Sequence, residues 1–342
     1  MTAPALTPQT PLGTGYGPAT TAAEVVAGAD LTGRTAIVTG GYSGLGVETV
    51  RALRAAGAEV VVPVRNREKA AETLAGVDGV QLEPMDLQDP ASVDAFAGRF
   101  LDGDRPLHML INSAGIMAVP LSRDARGHES QFATNHLGHF QLTLRLWPAL
   151  LRAEGARVVA VSSWGHRESG IVWDDVHFER RPYDPMGAYG QSKTANNLFA
   201  VELDRRGRDR GVRAFSLHPG RILTPLVRHT DPELLQRMGM IDENGEPLID
   251  PSRNKKSPQQ GAATSVWCAT GPQLDGLGGV YCENSDIAPL VPEGDDPVAI
   301  AEERVRTGES LAFGVMPYSI DPDSAARLWD LSEKLTGARL DA

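Results

Sequence analysis

The feature that most constrains the fold is a regular alternation of short β-rich runs with longer helical patterns, which begins at about residue 35. Such alternation is typical of parallel strands joined by crossover helices. It predicts seven strands, at residues 35–39, 59–64, 80–85, 107–111, 157–162, 212–217 and 279–282. Helices are predicted between them, at residues 45–56, 68–74, 90–100, 130–151, 189–206 and 259–269. The pattern therefore predicts an α/β fold with a doubly wound, parallel, seven-stranded sheet and helices on both faces.

No internal repeat or break in composition divides this pattern, so a single domain is expected over residues 31–342. Residues 1–30, the N-terminal arm, are expected to be disordered or draped over the surface, because their first part is rich in Pro, Thr and Gly. Residues 221–258, the substrate loop, are polar and broken by Pro and Gly, which predicts a mobile lid. Residues 289–342, the C-terminal extension, contain a predicted amphipathic helix at 322–335.

Composition excludes several classes of function. The chain is 41% hydrophobic, which is enough for a packed core, and its net charge of -11 disfavours nucleic acid and anionic membranes as partners. It has no apolar run long enough for a membrane helix and no secretory signal. Cys268 and Cys282 form neither a disulfide framework nor a metal site, and His136 and His139 lack further ligands. A soluble, cytoplasmic protein without a bound metal is therefore expected.

A glycine-rich segment follows the first predicted strand and opens the first predicted helix. Small residues there let the backbone approach a pyrophosphate, and the start of the helix offers free N–H groups. A simple tight turn is the alternative interpretation. The segment predicts a Rossmann-type dinucleotide site that includes Gly40, Tyr42, Ser43, Gly44, Leu45 and Gly46.

The turn after the second predicted strand indicates which dinucleotide is bound. It runs Arg65-Asn66-Arg67 and contains no acidic residue. An acidic residue in this turn holds the ribose 2′-hydroxyl of NAD, whereas an arginine pairs with the 2′-phosphate of NADP. The sequence therefore predicts NADP, bound by Arg65 and Asn66 with help from Arg67, although a solvated basic turn is the alternative.

Tyr189 and Lys193 are four residues apart at the start of a helical pattern, so their side chains emerge from one face. A free tyrosine hydroxyl, with a pKa of about 10, is a weak proton donor at neutral pH. A nearby ammonium group is expected to lower the pKa of Tyr189. This spacing is common by chance, but its place after the fifth predicted strand favours a catalytic pair.

Several motifs, taken in order, resemble those of the short-chain dehydrogenase/reductase superfamily. They are Gly40-x-x-x-Gly44-x-Gly46, Asn112-Ser113-Ala114-Gly115, Asn135, Ser162-Ser163, Tyr189-x-x-x-Lys193 and His218-Pro219-Gly220. The stretch Asn135-His-Leu-Gly-His-Phe140 is similar to the branch that contains retinol dehydrogenases, the WW-domain oxidoreductase and protochlorophyllide reductase. Ser113 departs from the family, which more often has Asn there.

The resemblance implies a role for each motif. It implies that Tyr189 is the general acid or base, that Lys193 tunes it and binds the nicotinamide ribose, and that Ser163 hydrogen-bonds the reacting oxygen. Asn135 would hold a water that links Lys193 to solvent. The implied cofactor contacts are Asp86 and Leu87 at the adenine, Asn112, Ala114 and Gly115 along the cofactor, and Pro219, Gly220 and Thr224 at the nicotinamide.

The resemblance also implies an activity, the NADP-dependent interconversion of a carbonyl group and an alcohol on a small, hydrophobic molecule. Two alternatives remain open: a catalytically silent, cofactor-sensing or partner-binding protein, and a nucleotide-sugar epimerase or dehydratase. A homo-oligomer is possible. The candidate substrate-pocket residues are Trp164, His166, Trp173, Leu226, Met238, Met240, Met316 and Tyr318.

Overall fold

A computed structural model describes residues 7–227, 231–237, 239–292, 294–307 and 312–340. The described strands are β1 (Thr35–Thr39), β2 (Glu59–Val64), β3 (Val80–Pro84), β4 (Met109–Asn112), β5 (Ala156–Val161), β6 (Val212–His218), β7 (Val280–Glu283) and β8 (Asp286–Ile287). They form one sheet in the order β3-β2-β1-β4-β5-β6-β7-β8. Strands β1 to β7 pair in parallel, which confirms the predicted fold class. The two-residue strand β8, antiparallel to β7, was not predicted.

The strand order reverses between β1 and β4, and such a point opens a crevice at the carboxyl ends of the strands. Strands β1 and β4 are buried along their whole length, as central parallel strands should be. Leu53, Phe215 and Trp267 belong to the apolar core on one face of the sheet. Phe140 and Trp329 belong to the core on the other face. The two cores hold the sheet rigid and so fix the crevice.

The described helices cover both faces of this sheet. They are α1 (Ala22–Val25), α2 (Leu45–Ala55), α3 (Arg67–Thr73), α4 (Pro90–Asp102), α5 (Ser130–Phe132), α6 (Gly138–Arg145), α7 (Trp147–Leu151), α8 (Pro185–Gly207), α9 (Pro232–Arg237), α10 (Pro258–Gly261), α11 (Ala263–Thr270), α12 (Pro297–Thr307) and α13 (Pro322–Thr336). None of these described helices combines the length and the apolar character that crossing a membrane requires.

The single helix predicted over residues 130–151 is interrupted twice. Residues Ala133–Leu137, between α5 and α6, form a π-helical turn. A second break occurs at Leu146, just before Pro148, which has no N–H to donate to the preceding turn. Single π-helical turns are frequent at functional sites, and this one carries Asn135.

The N-terminal arm lies against the last parallel strand. The Gln9 side chain donates to the carbonyl oxygens of Tyr281 and Ala288 and accepts from the N–H of Tyr281. The Asp286 carboxylate accepts from the backbone N–H groups of Leu12 and Gly13. From residue 7 onward, the described part of the arm is therefore ordered along the sheet edge.

Helix α13 of the C-terminal extension packs outside α8, on one face of the sheet. Helix α13 covers α8, where Leu328 and Ala325 join Leu198 and Val201 in one apolar cluster. The His136 Nε2 atom lies 2.7 Å from the Ser332 hydroxyl, which ties α13 to the π-helical turn. The extension therefore reaches the elements that surround the crevice.

Candidate active site

A cleft of about 1230 Å³ opens at the carboxyl ends of the parallel strands. Its floor begins at the glycine loop between β1 and α2. Gly40 and Gly44 have φ angles of +68° and +52°, in the left-handed region that favours glycine. A Cβ atom on Gly46 would lie 2.2 Å from the carbonyl oxygen of Gly40, and one on Gly40 would lie 2.9 Å from the Cα atom of Ala114. The loop thus forms a bare backbone cradle at a helix N-terminus, which fits a pyrophosphate.

Most of the residues singled out from the sequence line this one cleft. They are Gly40, Tyr42, Ser43, Gly44, Leu45, Gly46, Arg65, Asp86, Leu87, Ala114, Gly115, Ser163, Tyr189, Lys193, Pro219, Gly220 and Thr224. Asn66, Asn112 and Asn135 are not among the lining residues. Each of these three has a structural contact that accounts for its place.

Two of the predicted cofactor contacts, Asn66 and Asn112, bind neighbouring elements in the structure, and their contact with a cofactor stays a prediction. The side chain of Asn66 caps α3, because its Oδ1 atom accepts from the N–H of Lys69 at 2.8 Å. The amide of Asn112 is buried behind β4 and donates to the Thr143 hydroxyl at 3.3 Å. Both side chains are thus directed to neighbouring elements and away from the cleft.

The basic residues after β2 divide between two tasks. Arg65 is exposed and lines the cleft. Arg67 is not among the lining residues, and its guanidinium donates to the carbonyl oxygen of Leu82 at 2.7 Å. Lys69 lines the cleft instead, although sequence analysis did not identify it. Lys69 lies in the first turn of α3, three residues after the N-cap Asn66, and no sequence motif identifies it.

A buried hydrogen-bonded chain supports the turn after β4. The Thr39 hydroxyl accepts from the N–H groups of Ser113 and Ala114 at 2.9 and 3.0 Å, and lies 2.9 Å from His139 Nε2. His139 Nδ1 lies 3.0 Å from the carbonyl oxygen of Asn135, so Nδ1 carries the proton and Nε2 accepts from Thr39. Burial lowers the pKa of His139 to about 4, which keeps the ring neutral. The backbone N–H groups of residues 113 and 114 hold this turn through the Thr39 hydroxyl, so the side chain at position 113 is not needed for it.

Asn135 acts as a clamp between the β4 turn and α8. Its Oδ1 atom accepts from the N–H of Ile116 at 2.9 Å. Its Nδ2 atom donates to the carbonyl oxygen of Ile116 at 3.0 Å and to the Ser192 hydroxyl at 2.9 Å. Both amide protons are thus used by the protein. Asn135 positions the loop beside Lys193, whose Nζ atom would lie 3.8 Å from a Cβ atom on Gly115.

Helix α8 brings Tyr189 and Lys193 to the cleft. Asp184 caps its first turn by accepting from the N–H groups of Met186 and Gly187, both at 3.1 Å, and Pro185 occupies the first position. The Lys193 Nζ atom lies 5.5 Å from the centre of the Tyr189 ring and donates to the carbonyl oxygen of Val161 at 2.9 Å. The two side chains therefore share one face of α8, as their spacing predicted.

Ser163 follows β5 and meets Tyr189 from the sheet side. Its hydroxyl accepts from the N–H of Gly165 at 3.0 Å and is hydrogen-bonded to Tyr189. A Cβ atom on Gly165 would lie 2.9 Å from the Tyr189 ring, so glycine is needed for this close approach. Ser162 differs from its neighbour, because its hydroxyl donates to the carbonyl oxygen of Lys193. Ser163 is thus the serine hydroxyl next to Tyr189.

The pKa values of Tyr189 and Lys193 differ from the expectation that Lys193 lowers the pKa of Tyr189. Burial raises the pKa of Tyr189 to about 12, and the hydrogen bond with Ser163 offsets only part of that rise. Burial also lowers the pKa of Lys193 to about 7. Desolvation outweighs the attraction between the two groups. At neutral pH Tyr189 therefore keeps its proton, and burial destabilises the charged form of Lys193.

Beyond Tyr189 the cleft is lined by apolar side chains, which include Trp164, Leu226, Met240, Val298 and Phe313. The lining also contains the charged residues Arg167, Glu168, Arg253, Glu302 and Arg306. Three of the apolar residues were predicted as pocket residues. His166, Trp173, Met316 and Tyr318 were predicted too but are not among the lining residues, and Met238 lies outside the described residues. Val298 and Phe313 were missed, because they come from the C-terminal extension, where no motif identifies them.

Within the described ranges, no three His, Cys, Asp or Glu side chains form a group that could hold a metal ion. His136 and His139, the histidine pair considered from the sequence, are both fully enclosed in the core. His136 lies against Ser332, and His139 against Thr39. Their contacts are structural.

Comparison with known proteins agrees with this geometry. The family model described as short chain dehydrogenase matches residues 34–234. A probable oxidoreductase of Streptomyces lividans is 46% identical over 88% of this chain and 97% of its own length. The human WW domain-containing oxidoreductase is 36% identical over 95% of this chain and 73% of its own length.

Solved structures give the same result. A crystal structure of an uncharacterized protein from Mycobacterium paratuberculosis has a TM-score of 0.69 and 32% identity, and the match covers 95% of this chain and 100% of that one. RhlG of Pseudomonas aeruginosa, solved as an active-site complex with NADP, has a TM-score of 0.57 and 25% identity over 74% of this chain and 94% of its own. The chain is therefore an oxidoreductase of the short-chain dehydrogenase/reductase family, in the branch of the WW domain-containing oxidoreductase.

Proposed function

We propose that the protein uses NADP(H) to interconvert a carbonyl group and an alcohol on a small, largely apolar molecule in the cytoplasm. The observation that carries this proposal is the convergence of Tyr189, Ser163 and Lys193 in one cleft with the glycine loop. The two cysteines are free and buried, which agrees with a reducing compartment.

The cleft has features that fit a nicotinamide dinucleotide along its length. The bare loop at Gly40 and Gly46 suits the pyrophosphate, since a side chain at either position would collide with backbone. Arg65 and Lys69 are two cations at the end where a 2′-phosphate would lie, and the Arg65-Asn66-Arg67 turn after β2 contains no carboxylate. When bound, the cofactor supplies or takes up the hydride.

The residues of this chain supply orientation and the proton. In the reducing direction, the Tyr189 hydroxyl, kept protonated by its burial, donates its proton to the substrate oxygen. Ser163 donates a second hydrogen bond to that oxygen and holds it beside Tyr189. Lys193 faces the same pocket, and its positive charge stabilises the phenolate that remains on Tyr189. In the oxidising direction the same groups act in reverse.

The test is the absorbance of the reduced cofactor during reaction with a panel of aldehydes and ketones, followed for wild type and Tyr189→Phe. General acid catalysis contributes about 100-fold to 10,000-fold, so Tyr189→Phe should lose turnover on that scale. Its NADPH affinity, measured by titration, should stay unchanged, because only one hydroxyl is removed. Ser163→Ala should lose less turnover, and Lys193→Ala should lose both turnover and affinity. Near-normal hydride transfer in Tyr189→Phe would exclude it as the proton donor.

A further inference from the structure

The C-terminal extension contributes an aromatic ring to the substrate side of the cleft. Phe313 is only 6% exposed and lines the cleft together with Trp164, which directly follows Ser163. The two rings are stacked, with their centres 4.2 Å apart and their planes at 22°. The apolar wall beside the reacting groups is thus built from two distant parts of the sequence.

Of the two rings, Trp164 has a neighbour on each face. The guanidinium of Arg167 lies 3.8 Å from the centre of the Trp164 ring, while Phe313 stacks at 4.2 Å. Two groups this close to one ring must lie on opposite faces, so both faces of Trp164 are covered. Trp164 can therefore offer the cleft only its edge, and the small part of Phe313 that stays accessible is the other aromatic contact on this wall.

Backbone contacts fix the position of Phe313. The Glu283 carboxylate accepts from the N–H of Phe313 at 2.6 Å and from the N–H of Gly314 at 3.3 Å. Glu283 is 1% exposed, ends β7 and also accepts from the Tyr281 hydroxyl at 3.2 Å. On the other side, the N–H of Val315 donates to the carbonyl oxygen of Pro289. The ring is therefore presented by a segment that is anchored to the sheet.

The same segment is joined to the turn that carries Ser163. The N–H of Met316 donates to His166 Nε2 at 3.1 Å, so the ring proton lies on Nδ1, 2.7 Å from the carbonyl oxygen of Ser163. Burial lowers the pKa of His166 to about 4, so this neutral ring persists across physiological pH. The Tyr318 hydroxyl donates to the carbonyl oxygen of His166. Phe313 and Ser163 are thus held in one fixed relation.

We propose that Phe313 is a specificity-determining residue that selects substrates with a planar aromatic group next to the reacting carbonyl, and that Glu283 is its positioning residue. The inference rests on the proposed function and narrows its substrate class. Offset-stacked or edge-to-face contact with a fixed ring favours an aromatic substrate over an aliphatic one of similar reactivity. A ring held in advance also loses little entropy when the substrate binds.

The test compares kcat and KM for benzaldehyde and propanal in wild type, Phe313→Ala, Phe313→Leu and Glu283→Ala. Phe313→Ala should lose about tenfold in kcat/KM for benzaldehyde, mainly through KM, with little change for propanal. The kcat/KM of Phe313→Leu for benzaldehyde should lie between the values for wild type and Phe313→Ala. Glu283→Ala should show the same KM change, and Glu283→Gln, which keeps an acceptor oxygen, should restore part of the preference. The matched control is Phe178→Ala, a buried phenylalanine outside the cleft, which should leave the ratio of the two substrates unchanged.

Calorimetric binding of benzamide and acetamide, which are not reduced, separates this inference from the proposed function. Loss of the benzamide preference in Phe313→Ala supports the role of Phe313 even if no carbonyl in the panel is reduced. Equal losses for aromatic and aliphatic compounds, in binding or in kcat/KM, would overturn it. A Glu283→Ala enzyme with wild-type KM for benzaldehyde would overturn the positioning role.

Discussion

Arg65 and Arg67 carry the same charge and are two residues apart, but their side chains contact different parts of the molecule. Sequence alone placed both beside the 2′-phosphate. The structure directs Arg67 to the Leu82 carbonyl oxygen and brings Lys69 to the cleft instead. The difference arises because α3 begins at Arg67, which turns its side chain toward β3. Motifs identified the positions near the cofactor, but the direction of each side chain depended on where the helix starts.

The Arg65→Ala variant is expected to bind NADPH about tenfold or more weakly while NADH binding changes little. A charge-assisted contact with the 2′-phosphate stabilises NADPH by about 1.5 to 3 kcal/mol and has no counterpart in NADH. Fluorescence titration with both cofactors measures the ratio. Lys69→Ala should change the ratio in the same direction, whereas Arg67→Ala, the matched control, should leave it unaltered. Equal weakening of both cofactors in Arg65→Ala would argue against NADP preference.

Lys193 should make the stability of the protein depend on pH. Its pKa is lowered from 10.5 to about 7 by burial, so between these values the unfolded chain binds more protons than the folded one. Stability therefore rises with pH over this range, by up to about 1.4 kcal/mol for each pH unit. Urea unfolding of the cofactor-free protein should show a free energy of unfolding that rises from pH 6.5 to 9. This rise should be smaller in Lys193→Met. Parallel curves for the two proteins would contradict a buried, destabilised ammonium.

At the scale of elements, alternation in the sequence was enough to predict the strands and most of the helices. It could not predict the π-helical turn at Ala133–Leu137, because that turn is stabilised by contacts distant in sequence. Asn135 clamps Ile116, and His136 meets Ser332 from the C-terminal extension. The two-residue strand β8 was likewise too short for any periodicity to reveal.

The substrate loop is predicted from its sequence to be mobile and to close over the cleft. Its base is fixed, because the N–H of Lys256 donates to the Arg221 carbonyl oxygen. Away from the base, Leu234, Leu248 and Ile249 are exposed apolar side chains. Hydrogen exchange at residues 231–237 and 239–250 should slow when cofactor and substrate bind together, since closure protects backbone groups. Unchanged protection there, with β4 as the internal reference, would rule out a lid.

At the scale of the whole molecule, the N-terminal arm and the C-terminal extension both contact β7. Gln9 of the N-terminal arm binds the backbone of Tyr281, and Glu283, two residues later, holds Phe313 of the C-terminal extension. Neither connection could be predicted from the sequence, because no local pattern joins Gln9 to Tyr281, 272 positions apart, or Glu283 to Phe313, 30 positions apart. The central sheet follows from pattern, while the substrate side of the cleft depends on how the two ends fold back onto it.

This arrangement predicts that the arm stabilises the fold without taking part in cofactor binding. Gln9→Ala removes three hydrogen bonds to the backbone of Tyr281 and Ala288. The Tyr281 carbonyl oxygen keeps its hydrogen bond from the N–H of Ala288, but the Tyr281 N–H and the Ala288 carbonyl oxygen lose Gln9 as a partner. This loss should cost about 1 to 3 kcal/mol and lower Tm by several degrees. NADPH affinity should not change, because Gln9 is not among the residues that line the cleft. The control is Gln236→Ala, an exposed side chain, which should leave Tm unaltered. If Gln9→Ala and Gln236→Ala had the same Tm, the arm would lie on the sheet without stabilising it.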